Sequence, residues 1–149
     1  MKILEPIRHA RSLLLFAACA TACTADTSAP LVATDLVVTQ ALPGVMMSAG
    51  YVTLTNNSAE IISLTSVSSP QFASVEIHET IIANDIARMR PVEKLVIAPG
   101  QTVKLEPGAK HLMLMQAQES TDKKAVDLIT LNFYADNLLV LSVSTTLGS

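Results

Sequence analysis

The side chains best suited to chemistry are His78, Met89, His111 and Met113, separated in the chain by ten, twenty-one and one residues. They stand out through scarcity. Past residue 22 only two histidines remain, His78 and His111, with five methionines at positions 46, 47, 89, 113 and 115. Imidazole and thioether are both neutral ligands. Two of each suit a soft monovalent ion, and thioether favours Cu(I) over zinc or the hard cations. Thioether cannot form disulfides, which suits an oxidising compartment. It also carries no proton to lose, so only the histidines make such a site sensitive to pH.

Positioning these groups requires strands. In His111-Leu112-Met113-Leu114-Met115 side chains alternate across the backbone, so His111, Met113 and Met115 share one face and the two leucines the other. Further upstream, Asn84-Asp85 is a two-residue hairpin turn. Counting back from it pairs Ala83 with Ile86 and Thr80 with Met89, which makes His78 a diagonal neighbour of Met89 at roughly 7–8 Å between Cα atoms. A slip of one residue, with Glu79 opposite Met89, would send the two to opposite faces.

The rest of the chain reads the same way. Thr102 to Glu106, Ile129 to Tyr134 and Leu139 to Ser144 alternate apolar and polar residues, the pattern of half-buried strands. Further strands are expected at 35–41, 50–56, 61–67, 74–82, 86–92, 94–97 and 109–118. Asn56-Asn57, Pro99-Gly100 and Pro107-Gly108 supply turns between them. No segment carries a helical apolar stripe. The expected fold class is all-β, an antiparallel sandwich or barrel in one domain.

The N-terminus reads as an export signal over residues 1–22. Lys2, Arg8 and Arg11 precede the short apolar run Leu13 to Ala18, too short to span a bilayer. Ala20-Thr21-Ala22-Cys23 resembles a bacterial lipobox, although Ala20 stands where leucine is usual. Cys23 would then be the lipidated first residue and a membrane attachment; cleavage after Ala22 or Ala25 is the other route. Residues 23–34 suit a flexible tether, and 35–149 the binding domain. With Cys19 and Cys23 both at this end, the domain has no disulfide, thiolate ligand or cysteine nucleophile. Once the signal leaves, seven basic and twelve acidic residues remain, a net charge of −5. That argues against nucleic acid as a partner. The absence of tryptophan and an aromatic content of 3% argue against recognition by stacking.

The spacing H-x10-M-x21-H-x-M resembles the signature of the periplasmic copper chaperone family PCu(A)C. Its flanks are similar too: Val75-Glu76-Ile77-His78-Glu79, Met89-Arg90-Pro91-Val92, Pro107 through Met115, and Gly50 through Asn56. The resemblance implies a cupredoxin-like Greek-key fold that binds Cu(I) through His78, Met89, His111 and Met113. It implies a periplasmic, non-enzymatic carrier serving a copper-acceptor protein, either cytochrome c oxidase subunit II with its CuA centre or another copper chaperone. A buffering or resistance protein without a dedicated acceptor is the alternative. A blue-copper electron carrier would need a cysteine thiolate, and a hydrolase would need a nucleophile site the domain does not offer. Met115 is assigned to packing, and Met46 and Met47 to a loop or edge after Pro43-Gly44. Glu76 and Glu79 read as solvated carboxylates, with orientation of an imidazole as the sharper role. Arg88 and Arg90 point away from Met89 by alternation.

Overall fold

A computed structural model describes residues 29–41, 44–118 and 128–148. The export segment and the first half of the tether, Cys23 included, lie outside the described residues. Eleven strands follow in order: β1 (Leu31–Val38), β2 (Met47–Asn56), β3 (Ile62–Leu64), β4 (Ser66–Ser68), β5 (Phe72–Ala83), β6 (Ile86–Pro91), β7 (Leu95–Ile97), β8 (Thr102–Leu105), β9 (Lys110–Ala117), β10 (Leu128–Ala135) and β11 (Leu138–Thr146). Among the described residues there is no helix.

The main sheet runs β1-β2-β9-β5-β4-β10-β11, with β6 added to β5 and β8 to β2, while β3 and β7 form a small second sheet. Crossovers such as β2 to β9 and β4 to β10 give the expected Greek-key character. The ends of the sheet approach each other. Val38 bridges Leu147, Gly148 N donates to Val38 O at 3.0 Å, and Thr145 Oγ1 donates to Leu36 O at 3.1 Å. The result is a nearly closed antiparallel barrel, which covers the edges an open sheet would expose.

The alternating residues fill this barrel. Leu54, Leu64, Ile97, Leu112, Leu114, Leu131 and Phe133 are all essentially inaccessible to solvent. Gly50 belongs to this packing. A Cβ there would meet Leu114 Cδ1 at 3.0 Å and Leu112 Cβ at 3.1 Å, so its bareness lets β2 and β9 close over the two leucines. Asn56 is also fully buried and fully paired. Its Nδ2 donates to Glu60 O at 2.8 Å and Ile97 O at 2.9 Å, and its Oδ1 accepts from Ser58. A buried amide so satisfied ties β2 to the small sheet.

Three features depart from the sequence reading. The first strand starts at Leu31, inside the segment assigned to the tether, and Leu31 is a core residue with no exposed surface. Pro30 and the small residues around it masked its apolar start. The expected strand 61–67 is broken at Thr65, where the chain leaves the small sheet for the main one. Inward Ile62 and Leu64 give way to inward Val67, a change of parity that a single strand cannot make. Asp136 and Asn137, both at positive φ (46° and 70°), form a hairpin turn between β10 and β11 that the sequence reading passed over.

Candidate metal site

The hairpin register is the expected one. Asn84 and Asp85 take φ of 51° and 62°, the primed-turn geometry that matches strand twist. Thr80 pairs with Met89, and Glu79 pairs with Arg90. On its other edge β5 pairs with β9, where His78 lies opposite His111 and Glu76 opposite Met113. Ile77, Leu112 and Leu114 point into the core, so Glu76, His78, Thr80, Met89, His111 and Met113 share the outer face.

The two imidazoles are brought together. Their ring centres are 6.3 Å apart, with planes tilted by 43°. A ligating nitrogen sits about 2 Å from a bound first-row ion, and the ring centre lies about 1 Å beyond the nitrogen. Two rings sharing one ion therefore have centres up to about 6 Å apart, close to the separation found here.

Each ring is held by one nitrogen, and the other is left for a ligand. His78 Nε2 lies 2.8 Å from Glu76 Oε2. A carboxylate only accepts, so in the neutral ring the proton sits on Nε2 and Nδ1 keeps its lone pair. That Nδ1 is buried and, among the described residues, has no hydrogen-bond partner. An orphaned buried lone pair beside a second histidine fits a metal ligand. His111 is 6% exposed, and its Nδ1 lies 3.1 Å from Ala109 O. A carbonyl also only accepts, so Nδ1 donates and Nε2 is free to ligate. Glu76 thus orients an imidazole in the manner expected of a partner behind a ligand, while Glu79 takes no part in it.

Glu79 faces the other way. It accepts from Lys110 Nζ at 2.8 Å and from Arg90 Nη2 at 3.0 Å. These two cations, Lys110 foremost, hold its carboxyl below the ordinary carboxylate range. The row Arg90–Glu79–Lys110 ties β6, β5 and β9 together on the side opposite the histidines, and it keeps Arg90 away from Met89.

The methionines differ in placement. Met113 is half-buried, two residues from His111 on the same face of β9. Met89 is 62% exposed, on a strand whose six residues are all exposed. Met113 pairs at Glu76 and Met89 at Thr80, on opposite diagonals of His78. Four residues of rise and two strand spacings put their Cα atoms roughly 16 Å apart in a flat sheet. The register therefore gathers His78, His111 and Met113 and leaves Met89 on an outlying hairpin. Among the described residues no three His, Cys, Asp or Glu side chains converge as a metal site, so ligation by more than the two imidazoles draws on the thioethers.

Beside the pairing of His78 with His111, a second one was not legible beforehand: Met47 lies directly opposite Met115 in the β2–β9 ladder. The expected strand began only at residue 50, and Met47, assigned to a loop or edge, is instead the first residue of β2; no local signal gave its partner.

Comparisons with known proteins agree with this architecture. The copper-bound PCuAC domain from PmoF2 superposes with a TM-score of 0.60 at 16% identity, covering 80% of this chain and 93% of that one. The copper(I) form of DR1885 from Deinococcus radiodurans gives 0.59 at 24% identity, covering 86% and 83%. At these identities the likeness establishes the fold, a cupredoxin-like PCuAC barrel. An uncharacterized protein of Rickettsia prowazekii, RP573, is 31% identical over 91 residues, 60% of this chain and 49% of its own length. The chain thus spans about half the length of that curated relative. The model of the LpqE-like lipoprotein family matches residues 31–143, most of the chain and all eleven strands but the last few residues of β11, and the chain belongs to that family.

Proposed function

We propose that the protein is an exported Cu(I) carrier, without enzymatic activity, that holds one ion with His78, His111, Met113 and Met89 and yields it to an acceptor. The observation that carries this reading is the paired imidazoles, each anchored by one nitrogen, with the buried Nδ1 of His78 left without a partner. Neutral imidazole and thioether together favour Cu(I), the cargo such a site would select. Copper is also what the similar PmoF2 domain and DR1885 hold in their solved forms.

The site lies on an outer sheet face with its fourth candidate ligand on an exposed hairpin. A partner can approach there and replace ligands one at a time, the exchange a carrier needs. The acceptor we favour is a respiratory CuA site of cytochrome c oxidase, with the protein acting outside the cytoplasm and Cys23 as a lipid anchor. Titration with Cu(I) against a chromophoric chelator should give one tight equivalent, abolished in His78→Ala/His111→Ala. Deleting the gene should lower oxidase activity, and added copper should restore it. Unimpaired oxidase with a gain in copper sensitivity would favour buffering over delivery.

A further inference from the structure

The outer face continues past the histidines. Moving along β9 from His111, the same side carries Met113 and then Met115, and Met115 stands directly opposite Met47 of β2. Directly paired residues have Cβ atoms about 5 Å apart, within reach of a common ion for two flexible thioethers. Met115 and Met113 are one pleat repeat apart, about 7 Å. Met47 is 47% exposed, and the core on the opposite face of these strands is already filled by Leu112 and Leu114. The usual role of methionine as a core filler therefore does not account for Met47. The backbone here is pinned: Gln116 takes φ of 55° and its N donates to Met46 O at 3.0 Å, which fixes where β2 meets β9. The flanking outward positions, Ala49 and Ser74, carry no charge, and the carboxylate diagonal to Met115, Glu76, is engaged with His78 Nε2 at 2.8 Å.

We propose that Met47 and Met115 form a second, more exposed and weaker site for a soft monovalent ion, Cu(I) or its mimic Ag(I). Met113 links it to the histidine pair. Two thioethers are a minimal soft donor set, selective against zinc, calcium and magnesium. Being on the rim, the pair would receive an ion before the histidine site or hold one leaving it. Occupancy of the Met47–Met115 pair does not depend on the histidine site, whereas its role as an antechamber rests on the carrier reading above.

Methionine methyl NMR on the protein titrated with Ag(I), and with Cu(I) under reductant, tests this. The methyl signals of Met47 and Met115 should move with a second equivalent, at an affinity at least tenfold weaker than the first. Met47→Leu/Met115→Leu, a volume-conserving change, should lose the second equivalent and keep the first. In His78→Ala/His111→Ala the first should vanish while the Met47 and Met115 shifts persist. Silent Met47 and Met115 methyls, a second equivalent that survives the leucine variant, or its loss with the histidines would each overturn the site. Absence of the first equivalent from the unaltered protein would instead overturn the carrier reading alone.

Discussion

Two halves of one face are built to different standards. On the β5–β9 side, His78 and His111 sit over the core, each ring fixed by a hydrogen bond, with Met113 beside them on a strand whose leucines are fully buried. On the β5–β6 side, the hairpin around Asn84-Asp85 runs past the start of β9, and every residue of β6 is exposed. Ile82 at 71%, Ile86 at 54% and Met89 at 62% leave apolar groups in water. A two-stranded ribbon without a covering layer is only marginally stable by itself. The contrast teaches that three of the four candidate ligands are pre-positioned by the barrel, while the fourth must be brought in by the hairpin. On the carrier reading proposed above, the barrel residues would supply affinity and the exposed Met89 a route for release.

The largest expected effect comes from the rigid half. His111→Ala should weaken Cu(I) binding more than about 100-fold, beyond what loss of an outer partner costs. The fold should persist, since the ring touches the face opposite the core. Chelator competition measures the first, and circular dichroism checks the second. Glu76→Ala frees the His78 ring and should cost about 10–100-fold in affinity. Nitrogen-15 NMR of the imidazoles should show His78 losing its fixed Nε2–H tautomer in this variant.

The exposed half should respond less in affinity and more in rate. Met89→Leu should weaken Cu(I) by about tenfold, the low end of such effects, and speed transfer to a chelator in stopped flow. Amide exchange across residues 80–90 should slow when Cu(I) is added to the unaltered protein and stay fast in Met89→Leu. An equal loss of affinity in Met89→Leu and His111→Ala would erase the distinction between the halves.

The smallest effect concerns the ion row behind the site. Lys110 and Arg90 lower the pKa of Glu79 in the folded state. A group with a depressed folded pKa stabilises above its unfolded pKa, and that contribution is lost as pH falls through the folded value. Glu79→Gln should thus lower Tm slightly at neutral pH, and the difference from the unaltered protein should vanish on acidification. Exposure and salt screening keep this effect small.

What could be read without coordinates was local. Period-two alternation revealed the strands, His-Leu-Met-Leu-Met assigned faces, and the Asn-Asp turn set the Thr80–Met89 pairing that the structure shows. The pairing of His78 with His111 was out of reach, because it joins strands far apart in the chain and no local pattern encodes which edges meet. The same holds for Met47 and Met115. The break at Thr65 shows in the sequence only as the parity change from Ile62 and Leu64 to Val67, which the reading of 61–67 as one strand passed over. The start at Leu31 was hidden by a small-residue approach that resembles a tether. The role of Glu76 was legible only as one of two options. The short Nε2 contact and the orphaned Nδ1 of His78 decide between them.

The convergence of two nitrogens and two sulfurs on one ion is tested most directly by X-ray absorption at the copper edge, on protein loaded with a single equivalent of Cu(I). The expected spectrum is a Cu(I) edge with a mixed shell of imidazole nitrogen and two thioether sulfurs, dropping to one sulfur in Met89→Leu. A shell of nitrogen and oxygen alone, or a sulfur count unchanged by that substitution, would contradict it.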